Sequence, residues 1–146
     1  MSTIKDHPII QEYINWNKFG ALLGMDFTIP KKGEVIYTMK ITEAMLATPF
    51  AAHGGSVAAL LDATLGVACL SQVCEDMKVV ATVNISIQYM SPAVLDDELT
   101  ATASVLKAGN RILFVEGRVV NQNNKLVATA SATMNAYPVV KISDRI

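Results

Sequence analysis

Residues 53–69 have the sequence HGGSVAALLDATLGVAC. From residue 56 to residue 70 nearly every side chain is apolar or small, and the stretch contains no proline. A run of good helix formers that is apolar on all sides predicts a helix buried in the core of a domain. The rest of the chain is therefore expected to pack around this one helix.

Asp62 interrupts the apolar pattern. An ionised carboxylate within an apolar helix costs several kcal/mol unless it is paired, hydrated or neutralised. Its neighbours one helical turn away have no side-chain donors: Ala58, Ala59, Leu65 and Gly66. The small residues among them leave room for a ligand or a second chain to approach. We interpret Asp62 as a functional carboxylate; the alternative is a structural one held by donors from elsewhere in the fold.

Gly54 and Gly55 lie at the start of this helix. The first N–H groups of a helix have no internal partner and lie at the positive end of its dipole, so the two glycines are candidate donors for an oxyanion. The alternative is that they only permit a tight entry into the helix. Gly54 precedes Asp62 by eight residues, which is about 12 Å along the axis. A site that uses both is therefore expected across a two-fold axis, with each residue from a different chain.

Composition restricts the class of protein. Of the 146 residues, 51% are hydrophobic and 17% are charged, which favours an oligomer. The net charge of −1 argues against nucleic acid or an anionic membrane as a partner. Two cysteines and two histidines, without metal-ligand spacing, predict a cytoplasmic protein with no metal site. We expect no signal peptide, and no membrane span because Asp62 interrupts the most apolar helix.

The other segments predict an antiparallel sheet. Apolar residues recur at helical spacing near the start, between Ile9 and Ile14, which predicts a short amphipathic helix. Residues 20–29 are apolar and strand-like, and residues 30–33 (PKKG) indicate a turn. Period-two alternation then predicts strands at residues 35–41, 81–89, 99–105 and 126–136, and residues 111–120, between two turn signals, are predicted as a further strand. We expect a single α+β domain over residues 1–146, with about six antiparallel strands wrapped around one long helix.

Three motifs together resemble a known family: His53-Gly54-Gly55, then Leu61-Asp62, then Tyr89-Met90-Ser91-Pro92-Ala93 after an alternating strand. Over about residues 15–137 the chain resembles the hotdog-fold acyl-CoA thioesterases, in their PaaI-like, phenylacetate-degradation branch. The resemblance implies a hotdog fold and a homotetramer built as a dimer of dimers. It also implies active sites between subunits that hydrolyse acyl-CoA thioesters without a metal or cofactor.

The resemblance also implies roles for individual residues. Asp62 matches a catalytic carboxylate that acts as nucleophile or as general base on water. Gly54 matches a residue whose N–H polarises the thioester carbonyl, and Thr82 matches a hydroxyl that orients the water. His53 matches a mainly structural position, with proton transfer as the alternative. The family often has an asparagine where this chain has Ala47, and losing one oxyanion donor costs about 2.7–4 kcal/mol unless another group replaces it.

Substrate contacts are less sharply predicted. Five residues are candidates for binding the acyl group or its carbonyl: Thr48, Phe50, Gly55, Leu65 and Met90. Thr48 is also a candidate replacement for the missing asparagine. Four cations are candidates for the phosphates of coenzyme A: Lys107, Arg111, Arg118 and Lys125. Two further functions remain open, a non-catalytic acyl-CoA-binding protein and an enoyl-CoA hydratase that uses His53 with Asp62.

Overall fold

The computed structural model describes residues 2–140. Three α-helices and six β-strands follow one another in this order: α1 (Pro8–Trp16), α2 (Lys18–Leu22), β1 (Asp26–Lys31), β2 (Glu34–Lys40), α3 (Gly54–Val73), β3 (Lys78–Tyr89), β4 (Glu98–Ala108), β5 (Ile112–Val120) and β6 (Leu126–Pro138). The strands form one antiparallel sheet in the order β1-β2-β4-β5-β6-β3. The expected α+β fold, with six strands around one long helix and a short N-terminal helix, is confirmed.

α3 lies on one face of the sheet and forms the centre of the core. Leu60, Leu61 and Leu65 have no exposed surface. They belong to one hydrophobic cluster with side chains from the sheet: Val35, Tyr37, Leu99, Leu113, Val115 and Met134. The segment Gly54–Asp76 is long and apolar enough to cross a membrane, but 67% of its most apolar 18-residue stretch is buried inside the protein. The helix therefore has the burial of a core helix.

One stripe of α3 is not buried, which corrects the expectation of a helix enclosed on all sides. Gly55 and Asp62 are exposed, and Ala58, Ala59, Ala63 and Gly66 are half-buried. These positions follow one another at helical spacing on the side that the sheet does not cover. The physical reason is that the sheet and α1 together enclose only part of the circumference of the helix.

The chain from Gly20 to Ile29 is not the single strand that its apolar character predicts. Its first part is the end of α2, and a turn at Gly24, whose φ is +68°, separates that helix from β1. Asn17 caps α2 by accepting a hydrogen bond from the N–H of Gly20 at 3.1 Å. A side-chain cap of this kind starts a helix in a sequence whose hydropathy alone reads as a strand.

β3 contains a β-bulge that the alternating sequence does not reveal. Thr82 is paired with Met134 of β6, whereas Asn84 is paired with the adjacent residue, Thr133, so Val83 is the extra residue. The side-chain alternation therefore reverses at Val83. Thr82 lies on the α3 side of the sheet together with Ile85, although a regular strand would put these two on opposite faces.

The sheet has an outer face that points away from α3. Paired residues form mainly polar rows across it, and one row runs through Ile36, Thr102, Arg118, Thr129 and Gln88. The two ends of the sheet are β1 and β3. Within residues 2–140, β3 pairs only with β6, so one edge of this 12-residue strand has no partner strand.

Candidate active site

Asp62 and Thr82 form a direct hydrogen bond on the open side of α3. The hydroxyl Oγ1 of Thr82 donates to Oδ1 of Asp62 at 2.8 Å. Both residues are exposed in the single chain, so the carboxylate is accessible to solvent and ligands. The donor comes from β3 and not from the helix of Asp62, as the lack of donors on α3 predicts. The bulge at Val83 makes this contact possible because it turns Thr82 toward the helix.

His53 caps the start of α3. Its backbone N–H donates to the carbonyl of Met45 at 2.7 Å, and its ring atom Nδ1 accepts from the N–H of Gly55 at 2.8 Å. The hydroxyl of Ser56 donates to the carbonyl of His53 at 2.7 Å. A ring nitrogen that accepts a hydrogen bond carries no proton, so the neutral ring has its proton on Nε2. His53 therefore has a structural role as an N-cap in this geometry.

The His53 cap occupies one of the two candidate oxyanion donors and leaves the other available. The N–H of Gly55 is already used by His53. The N–H of Gly54 donates to no acceptor in the part of the chain that is described, residues 2–140. The donor pair expected from the sequence is therefore reduced to one available N–H, that of Gly54.

Tyr89 makes a hydrogen bond to Gly54, and its ring lies close to that residue. Its hydroxyl donates to the carbonyl of Gly54 at 2.9 Å. A Cβ at residue 54 would lie 3.4 Å from the tyrosine ring. Tyr89 and Met90 line a small hollow of about 220 Å³ beside Gly54. The sequence identified Tyr89 only as part of a motif; its position at the end of β3, three residues before Pro92, was the available signal for this role.

The loop before α3 is fixed by local hydrogen bonds. The side chain of Thr48 accepts from the N–H of Ala51 at 2.9 Å, and the N–H of Ala47 donates to the carbonyl of Ala51, also at 2.9 Å. The hydroxyl of Thr48 thus stabilises a turn. Phe50 is 68% exposed. It lines neither the hollow beside Gly54 nor the larger groove between α1 and α3.

A groove of about 950 Å³ runs between α1 and α3, with Asp62 and Thr82 among its lining residues. The walls are contributed by α1, α3, β3, β6 and the two residues that follow β6. They are mainly apolar: Ile9, Tyr13, Trp16, Ala63, Gly66, Val67, Leu70, Val79, Val80, Met134, Val139 and Val140. Leu65 is not among them because its side chain is fully buried and packs toward Gly117 of β5.

The α1 side of the groove is fixed from behind by two tyrosines. The hydroxyls of Tyr13 and Tyr37 lie 3.1 Å apart, and Nδ2 of Asn17 donates to the hydroxyl of Tyr13 at 3.1 Å. Burial raises the pKa of Tyr13, and the negative charge of Asp62 acts in the same direction. Burial also raises the pKa of Tyr37 far above its ordinary value. Both side chains therefore stay neutral across the physiological pH range.

The candidate cations lie apart from Asp62. Arg111 is exposed in the turn before β5 and does not line the groove. Arg118 lies on the outer face of the sheet, opposite α3. Lys107 and Lys125 are exposed. No group of three or more His, Cys, Asp or Glu residues within residues 2–140 is arranged to hold a metal ion.

Comparison with known proteins identifies relatives of this chain. The family model described as the thioesterase superfamily matches residues 51–128. The chain is 34% identical to acyl-coenzyme A thioesterase PaaI of Escherichia coli over 106 residues, which is 73% of each protein. It is 33% identical to human acyl-coenzyme A thioesterase 13 over 104 residues, covering 69% of this chain and 71% of that protein.

Solved structures agree with the sequence relatives. The E. coli PaaI protein from the phenylacetic acid degradation operon superposes with a TM-score of 0.81 at 27% identity, over 87% of this chain and 89% of that one. A Streptococcus mutans protein bound to acetyl-CoA superposes with a TM-score of 0.72 at 28% identity, over 78% of this chain and 89% of that one. The chain belongs to the thioesterase superfamily and has the hotdog fold that the sequence motifs predicted.

Proposed function

We propose that this protein hydrolyses acyl-CoA thioesters, with Asp62 of one protomer and the N–H of Gly54 of a second protomer acting on the same carbonyl. Two kinds of observation support the proposal. Its relatives include named acyl-CoA thioesterases, which supports a thioester hydrolase. The 2.8 Å hydrogen bond between Thr82 and an exposed Asp62 carries the assignment of the site.

Asp62 is suited to act as a base or as a nucleophile. Thr82 donates to Oδ1, which fixes the carboxylate and leaves its other oxygen for water or substrate. As a general base, the carboxylate takes a proton from water while the water oxygen bonds to the carbonyl carbon. The carbon–sulfur bond then breaks, the thiolate of CoA leaves and takes up a proton, and the free acid remains. As a nucleophile, Asp62 forms a mixed anhydride that water hydrolyses in a second step.

The N–H of Gly54 is suited to stabilise the negative charge that develops on the carbonyl oxygen. It is at the positive end of α3, and the Tyr89 hydrogen bond to the carbonyl of the same residue helps to fix the position of Gly54. It is also the N–H that the His53 cap leaves free within residues 2–140. This supports Gly54 over Gly55 as the oxyanion donor.

A second protomer is required because the two groups are too far apart in one chain. Eight residues of α3 separate them, or about 12 Å along the axis. Ala58 and Ala59 on the open side of α3 and the free edge of β3 are suitable for close contact with another copy. We therefore propose a dimer that completes two sites, and a tetramer built from two such dimers.

The ligand and the cellular location are part of the same proposal. The S. mutans relative is bound to acetyl-CoA, which supports an acyl-CoA as the substrate of this chain. Arg111, Lys107 and Lys125 remain candidates for its phosphates, because a second protomer brings the surfaces of two chains together. We propose a cytoplasmic location, in keeping with two buried free cysteines.

The test is CoA release by the wild type and by Asp62→Asn, followed with a thiol reagent across a panel of acyl-CoAs. Removing a general base is expected to lower kcat by about 10²- to 10⁴-fold. The matched control is Asp76→Asn, which neutralises an exposed aspartate just beyond the other end of α3 and is expected to leave kcat unchanged.

The panel also separates the alternatives. If Asp62→Asn keeps the wild-type rate, the assigned role of Asp62 is wrong. If the wild type binds acyl-CoA without releasing CoA, the protein is a binding module. If enoyl-CoA is converted to a hydroxyacyl-CoA with no release of CoA, the protein is a hydratase. The use of His53 Nδ1 as an acceptor from Gly55 argues against that third outcome.

A further inference from the structure

We propose that the groove between α1 and α3 holds the acyl chain of the substrate, and that Gly66 determines how long and how wide that chain can be. The substrate class is then an acyl-CoA with an apolar, uncharged acyl chain of at least medium length. This inference rests on the proposed thioesterase function and assigns the acyl subsite of the same centre.

The groove begins at the reactive pair and follows one face of α3. Asp62, Ala63, Gly66, Val67 and Leu70 line it, and their spacing of one, three or four residues is that of a single helical stripe. From Asp62 to Leu70 this stripe extends for about 12 Å. A chain attached to a carbonyl beside Asp62 is therefore led away from the site along the helix.

The opposite wall is one face of α1. Ile9, Glu12, Tyr13 and Trp16 line it, again at helical spacing. The hydroxyl of Tyr13 is bonded to Tyr37 and Asn17, so its ring presents a fixed apolar surface to the groove. The short helix at the N-terminus, to which the sequence assigned no chemistry, therefore forms half of the substrate channel.

Charge in the groove disfavours acyl chains that end in a carboxylate. Among its lining residues within 2–140, the charged side chains are Asp62 and Glu12, both acidic. The ammonium of Lys18 lies over the ring of Trp16 at 5.7 Å from its centroid, and Lys18 is not a lining residue. A carboxylate at the far end of the acyl chain would thus lie near these negative charges and would lose its hydration.

Gly66 leaves space in the groove for the acyl chain of the substrate. A Cβ at this position would meet nothing within 4 Å, other than the helix's own nearby backbone. Glycine in the middle of a helix is less favourable than alanine, and no turn or positive φ requires it here. A larger side chain at residue 66 would project into the groove one turn beyond Asp62 without disturbing the core.

The experiment measures kcat/KM for a series of saturated acyl-CoAs from two to sixteen carbons. In the wild type we expect kcat/KM to rise by up to about fourfold per methylene group until the groove is filled. In Gly66→Leu we expect the long chains to lose about tenfold or more, while the two- and four-carbon substrates stay within about twofold. Gly66→Ala should fall between them, and Ala44→Leu, an exposed site outside the groove, should follow the wild type.

Binding is measured independently of turnover. Trp16 is the single tryptophan of the chain and lines the groove, so a non-hydrolysable thioether, S-decyl-CoA, should shift its fluorescence. Gly66→Leu should weaken this response at least tenfold, with S-methyl-CoA as the short probe that causes no shift. Adipoyl-CoA should be hydrolysed at least about tenfold less efficiently than hexanoyl-CoA.

These results distinguish the two proposals. If the wild type releases CoA and Asp62→Asn does not, but Gly66→Leu lowers all chain lengths equally, the groove assignment is overturned and the proposed function stands. If no acyl-CoA is hydrolysed, the proposed function fails, and the Trp16 titration decides whether the groove binds acyl chains. An S-decyl-CoA that binds without any change in Trp16 emission also overturns the groove assignment.

Discussion

The two sides of α3 are almost equally apolar but differ in the size of their side chains. The side toward the sheet carries Leu60, Leu61 and Leu65, which have no exposed surface. The open side carries glycine, alanine and Asp62. Hydropathy makes the whole helix look buried, whereas side-chain volume separates the face that fills the core from the face that other molecules approach. Small residues beside one charge are thus the better signal of the functional face.

The largest expected effect is on the core side. Leu60→Ala removes a fully buried side chain and should lower the free energy of unfolding by about 2–5 kcal/mol, measured by urea denaturation. The matched control is Leu106→Ala, because Leu106 is 60% exposed and should change stability by less than about 0.5 kcal/mol. Equal effects of the two changes would contradict the contrast between core and surface.

The next effect is on the open side and concerns activity. Thr82→Val keeps the shape of the side chain but removes the hydrogen bond to Asp62. Hydrogen bonds to charged groups contribute about 1.5–3 kcal/mol, so kcat should fall by roughly 10- to 100-fold. Thr102→Val on the outer face serves as the control and should keep the wild-type rate. A Thr82→Val enzyme with wild-type kcat would mean that the bond has no role in the reaction.

Ala59→Leu tests whether the open stripe contacts a second copy. Ala59 is half-buried in the single chain, so leucine there should be tolerated by the fold. Overpacking of an interface costs about 1–3 kcal/mol, so sedimentation should show weaker assembly, and activity should fall with it. Ala44→Leu controls for the added apolar surface. Unchanged assembly would place the contact between protomers elsewhere.

The smallest expected effect is on the pH dependence of stability. Burial raises the pKa of Cys69 from 9.0 to about 12. The unfolded chain releases this proton first as pH rises, so the stabilisation is complete below about pH 9 and is lost between about pH 9 and pH 12. Cys69→Ala should therefore flatten the decline of stability between pH 8 and pH 10 by roughly 1 kcal/mol. Identical slopes for both proteins would show that Cys69 ionises as easily in the folded state.

Much of the fold was predictable from local patterns. The apolar run predicted α3, and period-two alternation predicted most of the strands after it. Both patterns depend only on residues that are close together in the sequence. Residues 20–22 were mispredicted as strand because a side-chain cap at Asn17 overrides hydropathy there, whereas residues 26–29 are strand as predicted. The partial exposure of α3 depends on how much of it the sheet and α1 enclose, which no local pattern contains.

The site was predictable in its residues more than in its geometry. The isolated charge of Asp62 and the resemblance to a family pointed to the carboxylate that we propose as catalytic, and the structure brings Thr82 to it. Helix geometry alone made Gly54 and Gly55 equivalent donors, the family resemblance singled out Gly54, and the His53 contact with the N–H of Gly55 supports that choice. Leu65 looked like a substrate contact but lies in the core. The groove was missed because it needs α1, which is far from α3 in sequence.

The bulge at Val83 makes the parity of residue number important in β3. In a regular strand, the face on which a residue lies depends only on whether its distance from a reference residue is odd or even. Val83 adds one residue and so changes that parity for everything before it. If β3 paired regularly at this point, Val83 would lie opposite Met134 on the α3 side, and Thr82 would lie on the far side of the sheet. The hydroxyl beside Asp62 thus depends on the exclusion from the pairing of a valine that is 63% exposed and has no chemistry of its own.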